Sequence, residues 1–166
     1  MTHCSIHSTR LAGLRPKSLA LALTLAGMVL SHSAAAQGSV TAGQTTFDKT
    51  CVACHMPGGK GMAGLAPALA GTLAPLMGQE DGRRYVAGVL THGLSGRIVS
   101  QGVTFVGAMP PQATLSDAEL ADVANYLARG LNGAKDNLFK AEDFARERSA
   151  KTSHKDLRDM RQRLMP

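Results

Sequence analysis

The sequence predicts an all-α fold of small helices, and three observations predict it. Gly43, Phe47 and Cys51 recur every four residues, and a capped helix starts at Ser116. Between them, residues 56 to 111 hold twelve glycines and five prolines, a composition that lets backbone approach a ligand closely rather than extend long regular elements. Residues 37–133 therefore read as one compact domain, preceded by an apolar leader and followed by a charged extension, 134–166.

The leader, residues 1–36, has the pattern of an export signal. Arg10, Arg15 and Lys17 precede the uncharged stretch Leu19 to Leu30, and Ala34-Ala35-Ala36 stand before Gln37, so cleavage is expected near Ala36. The apolar stretch is 12 residues long, whereas a membrane-spanning helix needs about 20, which disfavours an uncleaved anchor. Cys4 lies upstream of that stretch, the wrong place for a lipidated residue at a cleavage point.

In the opening helix, Gly43, Phe47 and Cys51 share one face. Gly43 would let another helix cross closely, and Phe47 would fill the crossing. The face ends in Cys51-Val52-Ala53-Cys54-His55. Two thiols three residues apart, followed directly by an imidazole, form the attachment pattern for c-type haem. The cysteines reach the two vinyl groups, and His55 stands beneath the iron as proximal ligand. A thioredoxin-like dithiol would want a strand before it, and Thr41 to Thr50 show no strand alternation. A structural zinc site wants four nitrogen or sulfur ligands, and beyond residue 55 there is no cysteine and only His92 and His154. A pair of ordinary buried cysteines is the remaining alternative.

Cleavage after residue 36 would remove Cys4 and leave Cys51 and Cys54 as the mature chain's cysteines. A covalent haem would then supply the cross-link that a small exported domain otherwise finds in disulfides. Export and haem together point to a bacterial periplasm. Four Phe or Tyr precede residue 127 and the chain has no Trp. The protein-only core is thin, so the haem-free form is expected to fold poorly.

In the middle segment a helix is expected over about Gly82 to Leu90, with Arg84, Tyr85, Val86 and Val89 along one side. Ile98 to Phe105 alternates loosely enough for a short hairpin with Gly102 at its turn. The last helix opens with a capping box, Ser116 with Glu119, and a hydrophobic staple, Leu115 with Leu120. Leu120, Val123, Ala124 and Leu127 keep helical spacing, and Gly130 is the expected stop.

One histidine leaves one face of an iron open, and whether that face is filled separates electron carriers from gas-binding or catalytic haem proteins. Met56 adjoins His55 and cannot reach the opposite face, while Met62 and Met77 sit among glycines. Met109 precedes Pro110-Pro111, whose restricted backbone would hold its thioether in place. Met109 is accordingly the expected second ligand, against the alternative that it fills a gap in the core.

The run Gly43, Phe47, Cys51-Val52-Ala53-Cys54-His55, Gly64-Leu65-Ala66-Pro67-Ala68-Leu69-Ala70-Gly71, then Met109-Pro110-Pro111 before Leu115-Ser116-Asp117 resembles the class I, single-haem cytochrome c family. The resemblance covers about residues 40 to 131. It implies a cytochrome c fold in which the first and last helices cross, one covalent haem c with His55 and Met109 as iron ligands, and transfer of single electrons. It also implies that Pro67 offers its carbonyl to the Nδ1 proton of His55. Val89 to Ile98 is similar to a branch found beside periplasmic dehydrogenases, nitrite reductases and oxidases. That branch often carries Trp after the Met-Pro-Pro run, where this chain has Gln112. Arg97 is a candidate partner for a haem propionate, with a solvent-exposed arginine as the alternative. His92 is expected at the surface or near a propionate rather than on iron.

Residues 37–133 contain six Lys or Arg and six Asp or Glu, and residues 134–166 contain nine and six, so the mature excess of positive charge sits in the extension. Leu157, Met160 and Leu164 give the extension an amphipathic helical pattern. It is either packed on the haem domain or frayed, a docking arm for a redox partner, or a contact for a membrane surface. Nucleic acid is not an expected partner of an exported haem protein. The sequence as a whole points to a periplasmic one-electron carrier between a donor and an acceptor protein, a dehydrogenase, reductase or oxidase. The alternatives are a permanent subunit of such a complex and a haem enzyme or sensor with an open sixth position.

Overall fold

Ser39 caps the first helix: its hydroxyl accepts from the Ala42 N–H at 3.2 Å, and α1 runs from Val40 to Thr50. The structure, a computed structural model, describes residues 39–136 and 138–165, so the expected export segment, 1–36, lies outside the described residues. After Cys51 a single helical turn, α2 (Val52–His55), carries the chain into a 3-10 turn, Pro57–Gly59. A loop follows, then α3 (Ala74–Met77) and α4 (Glu80–His92).

The helix expected over residues 82 to 90 extends two residues further at each end. Glu80 and Asp81 place negative charge in its first turn, where the helix dipole favours it, and Gly93, at φ 76°, ends it in a conformation few other residues adopt. The hairpin is also longer than expected. β1 (Leu94–Ser100) pairs antiparallel with β2 (Val103–Met109), from Leu94 opposite Met109 to Ser100 opposite Val103. Gln101 and Gly102 join them at φ 50° and 76°, the paired positive values of a tight primed turn. Among the described residues the fold is thus helical with one small two-stranded sheet.

α5 (Asp117–Asn125) carries the expected capping box: Ser116 N–H donates to Glu119 Oε2 at 2.8 Å, and Glu119 N–H donates to Ser116 Oγ at 3.3 Å. A π-helical turn, Tyr126–Gly130, continues it to the expected stop. α1 crosses α5 at Gly43, and the Ser39 N–H donates to the Asp122 carboxylate beside that crossing. Phe47 is fully buried there, its ring 5.4 Å from that of Tyr126.

The extension forms α6 (Ala141–Ser149) and α7 (His154–Leu164). α6 packs on α4 and α5, and α7 on α4 and β1. Phe139, Phe144 and Leu157 are buried as completely as the core of the domain. Asn125, itself fully buried, ties the connection to α5: its carbonyl accepts from the N–H groups of Leu138 (2.8 Å) and Phe139 (3.0 Å), and its amide donates to Phe139 O at 2.8 Å. Among the readings of the extension, the packed helix is the arrangement in the structure. No helix among the described residues is long and apolar enough to cross a membrane.

Candidate functional site

α1 runs directly into the Cys51-to-His55 turn because nothing in Val52-Ala53 interrupts helical geometry, and the His55 N–H bonds back to Cys51 O at 2.9 Å. The turn then stops at Met56, whose φ of 62° sends the chain away. The chain returns through Pro67, which brings its carbonyl to 3.0 Å from His55 Nδ1. A carbonyl only accepts, so Nδ1 carries the proton and Nε2 keeps its lone pair for a metal. His55 is 8% exposed. Burial lowers its pKa, the Pro67 carbonyl opposing that shift, and the neutral ring is the form that ligates.

Cys51 and His55 both line a cleft of about 250 Å³ that takes in residues from α1, α4, the hairpin and α5. Its wall is predominantly aliphatic and aromatic, including Phe47, Leu69, Val86, Leu90, Ile98 and Leu127. Cys54 and Leu65 line it and are exposed, so part of its opening lies beside the attachment turn. Burial pushes the Cys51 thiol up to about 11, with Asp48 and Cys54 adding to the rise. Such a thiol stays protonated, unlike an activated redox cysteine or a zinc thiolate. No group of three or more His, Cys, Asp or Glu side chains among the described residues is arranged to hold a metal ion, so the zinc alternative finds no partners.

Met109, at the end of β2, lines the same cleft as His55. Met77 is buried in the core, Met62 is 45% exposed, and neither lines the cleft; among the described methionines Met109 does. Gly93 is what permits Met109 its place, because a Cβ on Gly93 would lie 2.4 Å from the Met109 carbonyl oxygen. Pro110 and Gln112 follow Met109 along the wall. His92 faces away: its Nε2 lies 2.9 Å from Glu147 O, an acceptor on α6.

Arg97, the sequence's candidate for a propionate, is not on the cleft wall. Side chains alternate along β1, so Gly96, Ile98 and Ser100 line the cleft while Arg97 is exposed on the other face. The cation that does line it is Arg161 of α7, which the sequence marks only as one of the basic residues of the extension. A signal was present: Arg161 stands four residues after Leu157 and three before Leu164, on the apolar stripe of its helix, where a solvated arginine does not belong.

These features fit a flat, largely apolar cofactor tethered at one edge, and they define the class of small haem-binding helical domains. Comparison with known proteins reaches the same class: residues 40–130 match the family model described as cytochrome c. The chain belongs to the cytochrome c family. Two proteins named cytochrome c-552, one from Thermus thermophilus and one from a particular strain of that species, are each 37% identical to it over 105 residues. The aligned segment is 61% of this chain and 80% and 71% of theirs. The cofactor is accordingly covalent haem c, Cys51 and Cys54 lie in its attachment stretch, and the general role is electron transfer with redox partner proteins.

Proposed function

We propose that the chain is a periplasmic one-electron carrier that accepts an electron from one protein and passes it to another without making or breaking substrate bonds. The observation that carries the proposal is the presence of His55 and Met109 on the wall of one apolar cleft. When bound, haem supplies a one-electron iron couple. The residues do the rest. Cys51 and Cys54 provide the sulfurs of the two thioether links. His55 offers Nε2 to iron while Pro67 O holds the proton on Nδ1 and fixes the ring. Met109 would supply its thioether as the second protein ligand, so that one ligand pair would serve both oxidation states.

The aliphatic wall excludes water and, with the thioether, favours the reduced state relative to two nitrogen ligands. Cys54 and Leu65, exposed at the mouth, mark where a redox partner approaches. Export by residues 1–36 places the protein in the periplasm, in keeping with haem attachment to a chain with this leader.

Voltammetry of the haem-loaded protein, combined with carbon monoxide titration of its reduced form, tests this reading. A single reversible one-electron wave with no uptake of carbon monoxide is the expected result. Ready binding of carbon monoxide would show an open sixth position and replace the carrier with an enzyme or a sensor.

A further inference from the structure

Arg161 is 7% exposed and has no carboxylate partner among the described residues. Its guanidinium donates from Nη1 to the Tyr85 hydroxyl at 3.4 Å and from Nη2 to Val99 O at 3.1 Å, and its centre lies 6.0 Å from the Tyr85 ring centroid. Two of five N–H donors are thus engaged, both by neutral acceptors. A guanidinium removed from water without a counter-charge is costly, and a neutral hydroxyl, a carbonyl and a ring face offset that only in part.

The surroundings do not supply the missing anion. Among the described residues the cleft wall holds no Asp, Glu or Lys, and its other titratable side chains are Cys51, Cys54, His55 and Tyr85. On the elements packed around α7, Glu147 faces Arg84, His92 and Thr152, and Arg158 donates to Ser95 O. Asp156 closes the capping box at Ser153, and Asp159 pairs with Lys155. One buried cation in a predominantly apolar cleft matches an apolar ligand that carries a carboxylate.

We infer that Arg161, carried into the cleft by the C-terminal extension, receives a propionate carboxylate of the haem, with the Tyr85 hydroxyl beside it. The inference rests on the haem reading above. It gives the extension a role in the cofactor site: residues outside the matched segment, 40–130, complete the cleft that segment begins. A guanidinium presents parallel donors that suit a carboxylate, which an ammonium does not reproduce in shape but does in charge. Held this way, the carboxylate stays ionised throughout the working pH range.

The test measures reduction potential against pH, from about pH 5 to about pH 9, in wild type, Arg161→Met, Arg161→Gln and Arg161→Lys. Each sample is first shown to contain covalent haem, so absence of haem from wild type counts against the haem reading, whereas a negative result in loaded protein counts against Arg161 alone. Wild type and Arg161→Lys are expected to hold a flat profile. Arg161→Met and Arg161→Gln are expected to gain a region in which the potential falls as pH rises, because an unpaired carboxylic acid then titrates together with iron oxidation. Flat profiles in the charge-removing variants, or an equal change in Arg161→Lys, overturn the inference. Should Arg161→Met not mature, Arg161→Gln against Arg161→Lys decides.

Discussion

Gly43 of α1 lies against Asp122 of α5 so closely that a Cβ on Gly43 would stand 2.0 Å from the Asp122 carbonyl oxygen. The obstacle is helix backbone, which cannot swing aside as a side-chain tip can. The crossing that aims the attachment turn at the cleft therefore depends on the missing side chain. Gly43→Ala should destabilise the haem-loaded protein by about 3 kcal/mol, the upper end of overpacking costs, in urea unfolding followed by far-UV circular dichroism. Wild-type stability would show that α1 and α5 separate without cost.

Gly88 and Leu157 form the corresponding close approach between α4 and α7, where a Cβ on Gly88 would meet Leu157 Cδ2 at 2.6 Å. Here the obstacle is a side chain. Leu157→Ala should cost about 3 kcal/mol through the cavity it leaves. Gly88→Ala in that background should cost less than in wild type, with a coupling of about 1 kcal/mol. Additive losses in chemical unfolding would mean that the two positions do not share this space.

Asn125 satisfies three backbone groups of Leu138 and Phe139 from a fully buried position. Asn125→Leu leaves those groups without partners, at about 1 to 3 kcal/mol for each one that water cannot reach. The variant should unfold at clearly lower urea, and amide exchange at Phe139 should accelerate. Unchanged exchange at Phe139 would contradict the pinning role.

The α5 cap gives a pH dependence with a definite sign. The Ser116 hydroxyl, followed by its backbone N–H, holds the Glu119 carboxyl below its ordinary 4.5. The folded state then binds fewer protons than the unfolded chain, so the cap's contribution is complete above pH 4.5 and declines as pH falls through the lower folded value. Ser116→Ala should cost about 1 kcal/mol near neutral pH, and the deficit should shrink in acid. A deficit that stays constant into acid would assign the loss to something other than the charged cap.

What the sequence made legible was local. The Gly43, Phe47, Cys51 spacing predicted both the helix and its crossing, because a four-residue recurrence reports one helical face whatever lies opposite. Gly102 marked the hairpin turn, and Pro110-Pro111 singled out the methionine that lines the cleft, whereas the place of the Pro67 carbonyl beside His55 came only through the family resemblance. The missed features join distant parts of the chain. Asn125 meets Phe139 across a connection with no periodicity, and Gly88 gives no sign in sequence of which helix will lie over it. Arg97 lies off the cleft because strand register decides which way it points, and the hairpin begins four residues earlier than its alternation suggests. Only the placement of α7 on β1 and α4 then brings Arg161 to the cleft.

The central claim, that His55 and Met109 together hold the haem iron, is tested most directly by the visible spectrum of the matured ferric protein. Wild type should show the weak far-red charge-transfer band that reports sulfur bound to ferric iron, and Met109→Ala should lose it while keeping its covalent haem. A wild-type spectrum that is high-spin, or a band that survives in Met109→Ala, would contradict the account.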